Sequence, residues 1–234
     1  NFPLLKTLLT GIAQEKRSDD FRVVFDTDCN MLAKFELEHG GHDDVKDNLC
    51  YITVGTGVGI GLVINGKCVS GMIHPEGGHV SVPLHPHEKE KYNDFKGVCS
   101  FHGTCVEGLV SNVSIKERLG LADVSAVADL SDDHEIWDLI GYYIGTMCAN
   151  LYLSLSLQKI VIGGGVMKRG NPLFKKIREH FTARIGGYLK HEKIDGDLSN
   201  FIVRSQFEDD LGLISSSAVG SKGEPWSEQG VAFE

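Results

Sequence analysis

The sequence lacks an excess of positive charge. It carries 23 Lys and Arg residues against 32 Asp and Glu residues, which gives a formal net charge of -9 at pH 7. A protein that holds nucleic acid or anionic lipid electrostatically needs a basic face. The composition therefore argues against nucleic acid or a membrane surface as a partner and favours a small-molecule ligand.

A disulfide framework is also missing. The six cysteines are scattered along 234 residues, apart from the close pair Cys99 and Cys105. Such a distribution is typical of reduced thiols. No secretory signal is recognisable in the first residues, which have the pattern of an amphipathic helix followed by a charged turn. These features predict a cytoplasmic protein.

One uncharged run, residues 139–157, is about as long as a membrane span, which needs roughly 20 apolar residues. The run contains Thr146, Asn150 and Ser154, and it continues from an amphipathic start. We therefore expect a helix buried in the core rather than a membrane span.

Predicted helices and strands alternate along the chain, which indicates the α/β class. Helices are predicted at 2–14, 31–40, 107–119, 133–157, 171–189 and near 211–220. Strands are predicted at 21–25, 49–54, 62–64, 67–69, 159–162 and 201–205. The third and fourth strands would form a hairpin with a tight Asn65-Gly66 turn.

A glycine-rich loop, GTGVGIG, follows the strand at 49–54. It does not open a helix, as a dinucleotide fingerprint would, and it does not end in Gly-Lys-Ser/Thr. Its bare backbone N–H groups and the Thr56 hydroxyl could still bind an anion. A plain glycine-rich hairpin is the alternative. A second glycine run, IGGGVM, follows the strand at 159–162 and fits a nucleotide lying between two backbone-lined edges.

Two carboxylates, Asp26 and Asp28, lie at the end of the strand at 21–25 and before a helix. Side chains alternate along an extended segment, so both should point the same way. One could accept hydrogen bonds from a polyol while the other takes a proton from an attacking hydroxyl. N-capping of the helix is the alternative interpretation.

Cys99, His102 and Cys105 are close enough in sequence for one tight loop to carry all three. With His79 as a distant fourth ligand they would form a set of two sulfurs and two nitrogens, which suits a structural zinc. The metal would pin the mobile charged segment 83–97 and fix the carboxylates that flank its ligands. Alternatively, the fourth ligand is His74, His85 or His87, or no metal binds and the thiols are free.

Taken together, these stretches resemble the ROK family of sugar kinases, in particular its bacterial-type fructokinase branch. The stretches that carry the resemblance follow the family's order: FDTDCN, TVGTGVGIG, GMIHPEGGHVSVP, GVCSFHGTCVEGL, QKIVIGGGVM and DDLGLISSSAVG. The Cys-x-x-His arrangement points to the fructokinase branch.

The resemblance implies an actin-like ATPase (ribonuclease H-like) fold, with the sugar in a cleft between two lobes and ATP against the larger lobe. Residues 1–46 would be the remainder of the small lobe, 47–212 the large lobe, and 213–234 a C-terminal helix and tail. The Gly-Gly-Thr-Lys phosphate loop of such kinases is not found in the chain, so we expect the first lobe to be incomplete at its N-terminus.

The implied activity is ATP-dependent phosphorylation of a hexose at its 6-hydroxyl, with fructose as the expected substrate. Mg²⁺ would accompany ATP, a structural Zn²⁺ would occupy the Cys/His loop, and the protein would be a homodimer. The alternative is a catalytically impaired sugar-binding or scaffold protein of the same fold.

The resemblance also implies residue roles. Asp28 would be the general base. The other sugar hydroxyls would be held by Asp26, Glu76, His79 and Glu107. Thr56 and Gly57 would face the ATP phosphates. The adenosine-side turn would consist of Gly163, Gly164, Gly165, Val166 and Met167.

Overall fold

A computed structural model describes residues 26–207 of the chain. The predicted helix at 2–14, the strand at 21–25 and the helix near 211–220 lie outside these residues. The helices are α1 (Asp28–His39), α2 (Pro86–Glu90), α3 (Val106–Val110), α4 (Asn112–Leu119), α5 (Ile136–Leu155) and α6 (Asn171–Ile185). The strands are β1 (Leu49–Val54), β2 (Val58–Ile64), β3 (Lys67–Cys68), β4 (Lys159–Gly163) and β5 (Ile202–Arg204). Short 3-10 helices span Gly77–His79, Val124–Val127 and Gly165–Arg169.

The five strands form one mixed sheet in the order β3-β2-β1-β4-β5. β1, β2 and β3 pair antiparallel, whereas β4 is parallel to β1 and β5 is parallel to β4. Asn65 and Gly66 have φ values of 53° and 76°, as a tight hairpin turn with two left-handed residues requires. The predicted hairpin is therefore confirmed.

Strand periodicity divides the core between the two faces of the sheet. Leu49 and Tyr51 of β1 pack with α1, whereas Cys50, Ile52 and Val54 join the larger cluster that contains α5 and α6. α6 packs closely on α5 because two α5 positions lack a side chain. A Cβ on Gly145 would lie 2.6 Å from the carbonyl oxygen of Ile177.

α5 confirms the core helix predicted for the uncharged run. Ile140, Ile144 and Met147 are fully buried in the larger cluster. Within residues 26–207, no helix has the length and apolar character that crossing a membrane requires.

Two predictions about loops and helices were wrong. The helix predicted at 107–119 is broken at Ser111, which is extended (φ -62°, ψ 158°) and whose hydroxyl accepts a hydrogen bond from Ser114 N to cap α4. Segment 83–97, expected to be mobile, contains α2 and is anchored to the core. Glu88 of α2 is 1% exposed and accepts hydrogen bonds from Arg118 and Tyr143.

Candidate active site

A cavity of about 500 Å³ lies beside the end of β1 and the start of α1. It gathers residues that are up to 80 positions apart in the sequence, from Thr27 to Glu107. Five of the predicted site residues line it: Asp28, Thr56, Gly57, Glu76 and Glu107. Asp26 and His79 are not among its lining residues.

The start of α1 positions the two aspartates differently. Thr27 is the N-cap, and its hydroxyl accepts a hydrogen bond from Asn30 N at 3.1 Å. The Asp26 carboxylate accepts from Thr27 N at 2.7 Å and from Asn30 Nδ2 at 3.0 Å, so it is tied to the helix start. Asp28 is exposed in the cavity and accepts from Cys29 N at 2.8 Å. Asp28 is therefore the aspartate that is available to a ligand.

Glycines in β2 allow α1 to approach the sheet. A Cβ on Gly61 would lie 1.8 Å from the carbonyl oxygen of Cys29, and one on Gly59 would lie 2.4 Å from Cys29 Sγ. Residues 58–61 of the glycine-rich run therefore belong to β2, which packs on α1. The turn itself spans only residues 55–57. This packing places Asp28 beside that turn.

Asn30 is a positioning residue that sequence reasoning missed. It is fully buried, its Oδ1 accepts from Leu62 N at 3.3 Å, and its Nδ2 donates to Val69 O at 3.1 Å. Asn30 directly precedes the predicted helix at 31–40, and no local pattern indicated that its amide is buried and needs hydrogen-bond partners.

The glycine turn is held by Glu107. Its Oε2 accepts from Val58 N at 3.0 Å, and a Cβ on Gly57 would lie 2.8 Å from the same oxygen. Thr56, at the tip of the turn, is exposed. The turn therefore presents a hydroxyl and backbone groups to the cavity while its base is tied to a carboxylate.

His79, Cys99, His102 and Cys105 form one cluster whose donor atoms all lie within 4.8 Å of one another. His79 Nδ1 is 3.7 Å from Cys99 Sγ and 3.5 Å from Cys105 Sγ, and His102 Nδ1 is 3.7 Å from Cys99 Sγ. Zinc–sulfur and zinc–nitrogen bonds of about 2.3 and 2.0–2.1 Å set tetrahedral S···N separations of about 3.6 Å. The cluster therefore fits zinc in donor type and in spacing.

The thiols of the cluster differ in acidity. Hydrogen bonds from the backbone of His102 and of Phe101 lower the pKa of the Cys99 thiol to about 7. Burial raises the pKa of Cys105 above its usual value. A thiolate is the form that binds a metal, so the lowered pKa of Cys99 favours binding, and Cys105 would release its proton to solvent when the metal binds.

The alternative fourth ligands lie elsewhere. His74 lines the cavity, with Nδ1 3.4 Å from Glu76 Oε1. The rings of His85 and His87 pack on each other with their centroids 4.5 Å apart. In the described part of the chain, His79 is the histidine that joins the loop at 99–105.

The cluster is linked to two carboxylates of the cavity. Glu76 is the N-cap of the 3-10 helix that ends at His79, and His79 N donates to Glu76 O at 3.0 Å. Cys105 is the N-cap of α3, whose first turn contains Glu107. A fixed arrangement of the four cluster residues therefore also fixes the positions of the Glu76 and Glu107 carboxylates.

A second cavity of about 390 Å³ is lined by Asn112, whose N donates to Gly55 O in the glycine turn. Of the second glycine run, Gly165 and Val166 line it. Gly164 has a φ of 97°, and a Cβ there would lie 2.5 Å from Val54 O. Gly163 ends β4, where a Cβ would lie 2.7 Å from the Tyr51 hydroxyl, and Met167 is buried in the core.

Trp137 and Arg169 of this cavity were not found by sequence reasoning. The Arg169 guanidinium lies 4.7 Å from the centre of the Trp137 ring and donates to Asp132 Oδ1 at 2.9 Å. Trp137 lies in a segment without a recognisable motif. Arg169 follows the second glycine run, but no local pattern indicated that these two side chains meet.

The ROK family profile matches residues 11–220. A candidate fructokinase of Bacillus subtilis (strain 168) is 34% identical over 216 residues, which are 92% of this chain and 66% of that protein. A fructokinase of Lactococcus lactis subsp. cremoris is 34% identical over 178 residues, 76% of this chain and 57% of that protein. The chain thus spans less than two thirds of the length of these two relatives.

A ROK family glucokinase from Streptomyces griseus, solved in complex with glucose and AMPPNP, has a similar structure. The TM-score is 0.66 at 20% sequence identity, and the match covers 86% of this chain and 68% of that one. This likeness confirms the predicted actin-like ATPase fold.

Proposed function

Because the chain belongs to the ROK family, we propose that the protein is an ATP-dependent hexose kinase that phosphorylates the 6-hydroxyl of fructose. The observation that carries the proposal is the first cavity, where Asp28, Glu76 and Glu107 face the glycine turn. Phosphoryl transfer needs a carboxylate near the nucleophile and a site that aligns the phosphates, and this cavity offers both.

Asp28 acts as the general base. Its carboxylate takes the proton of the sugar 6-hydroxyl as that oxygen forms a bond to the γ-phosphorus of ATP. The bond between the γ-phosphorus and the bridging oxygen breaks, and ADP leaves with the electron pair.

Glu76 and Glu107 orient the sugar by accepting hydrogen bonds from its other hydroxyls. Glu107 already accepts one bond from Val58 N, but a carboxylate has about four acceptor sites and keeps capacity for a ligand. Asp26 and His79 contribute indirectly, Asp26 through the start of α1 and His79 through the Cys/His cluster.

The nucleotide spans the two cavities, with its phosphates at the glycine turn and its base in the second cavity. Bare backbone N–H groups and the Thr56 hydroxyl face the phosphates, and Val166 contributes an apolar wall on the base side. Mg²⁺ bound with the nucleotide would neutralise the charge that develops on the phosphates.

The Cys/His cluster binds a structural zinc. Its four protein ligands complete a tetrahedron and leave no open position for a substrate, so the metal has no place in the chemical step. Its role is to hold Glu76 and Glu107 in the cavity.

Kinase assays with fructose, glucose and mannose test the proposal. We expect ATP-dependent formation of a hexose 6-phosphate, with the highest kcat/KM for fructose. Faster turnover of glucose would show that glucose, and not fructose, is the preferred substrate. Failure to phosphorylate any hexose would contradict the proposed function.

A further inference from the structure

Asn112 lines the second cavity and is hydrogen-bonded to the glycine turn that lines the first. Asn112 N donates to Gly55 O at 2.8 Å, and Gly55 lines the first cavity. Asn112 Nδ2 lies 3.4 Å from the position that a Cβ on Gly165 would occupy, and both residues line the second cavity. Asn112 therefore lies between the glycine turn at 55–57 and the glycine run at 163–165, a boundary that we call the seam.

The backbone of Asn112 is fixed in this place from both sides. Ser111 is extended and caps α4, so Asn112 is the first residue of that helix. The bond to Gly55 ties the same residue to the glycine turn. A side chain on such a fixed backbone can position a ligand with little loss of entropy on binding.

The amide of Asn112 has unused hydrogen-bonding capacity. Among the residues that the structure describes, no protein group accepts from its Nδ2 or donates to its Oδ1. The residue is half-buried, and an amide offers two donors and a carbonyl acceptor. A polar ligand at the seam would satisfy them.

We propose that Asn112 binds a ribose hydroxyl of the nucleotide and so positions it across the seam. The inference rests on the proposed function, in which the phosphates lie at the Gly55 side and the base lies in the second cavity. The ribose joins these two parts and must pass Asn112. A ribose hydroxyl both donates and accepts, which matches an amide that does the same.

Calorimetry with ADP tests the proposal on the wild-type chain, Asn112→Ala and Asn200→Ala. The Asn200 variant is the control, because Asn200 is an exposed asparagine that lines neither cavity. We expect Asn112→Ala to weaken ADP binding by about 3- to 10-fold, the loss expected for one neutral hydrogen bond. The control should bind as the wild type does.

The same titrations with 2′-deoxy-ADP and 3′-deoxy-ADP identify the contact. For one of the two, wild-type binding should weaken and the penalty of Asn112→Ala should disappear. If both deoxy nucleotides bind wild type as ADP does, or if Asn112→Ala loses nothing, the inference is wrong although the kinase proposal stands. If the wild type binds no ADP, both are wrong.

Discussion

Replacing Glu88 with Gln should destabilise the fold strongly, because it removes the counter-charge of a buried cation. The Glu88 carboxylate accepts from Arg118 Nη2 at 2.7 Å, from Arg118 Nε at 3.2 Å and from the Tyr143 hydroxyl at 2.8 Å. The Arg118 side chain is 0% exposed and lies 4.2 Å from the centre of the Phe95 ring. Water therefore cannot replace the lost carboxylate charge.

Removing one partner of a buried ion pair costs about 3–5 kcal/mol. At about 2–4 °C per kcal/mol for a protein of this size, Tm should fall by about 6–20 °C. The matched control is Glu135→Gln, since Glu135 pairs with Lys91 while both side chains are about half exposed. Exposed pairs contribute about 1 kcal/mol or less, so this variant should lose little.

Urea unfolding followed by circular dichroism measures both variants. A second comparison, Glu88→Leu with Arg118→Met, removes both charges and should recover part of the loss. The reasoning is refuted if Glu88→Gln unfolds within about 1 kcal/mol of Glu135→Gln, because the pair would then behave as an exposed one.

Three further predictions concern the cavity and the cluster. Cys105→Ser should lose one bound zinc per chain in elemental analysis and lower Tm, whereas Cys148→Ser, outside the cluster, should keep the metal. Gly61→Ala should displace α1 and abolish activity, because its Cβ would lie 1.8 Å from Cys29 O. Gly71→Ala has open space and should be tolerated, and equal stability of the two variants would argue against the packing described. Deoxy sugars should bind much more weakly than fructose in calorimetry because carboxylates would lose their partners, and equal binding would count against the sugar site.

Patterns that act over a few residues were predictable from the sequence. The alternation in β1, the hairpin turn at Asn65 and Gly66 and the uncharged α5 each follow from a local rule. The Cys/His loop was also visible, because three of its four ligands lie within seven residues. These features depend on short segments, so they can be recognised without knowledge of the tertiary structure.

Features that depend on tertiary packing were not predictable. Charged segment 83–97 has the composition of an exposed loop, but Arg118, 30 residues from Glu88, supplies a buried partner. Gly59 and Gly61 have the sequence pattern of a phosphate turn, yet they pair with β1 as residues of β2, and α1 packs on them. In each case the contact that determines the structure comes from a segment distant in sequence, so no local pattern could predict it.

The most direct test of the account compares Asp28→Asn with Asp195→Asn, an exposed aspartate outside the cavity, in steady-state phosphorylation of fructose. Loss of a general base should lower kcat by about 10²–10⁴-fold, while fructose binding measured by calorimetry stays close to that of the wild type and Asp195→Asn stays fully active. Full activity of Asp28→Asn would contradict the role given to Asp28 and with it the proposed site.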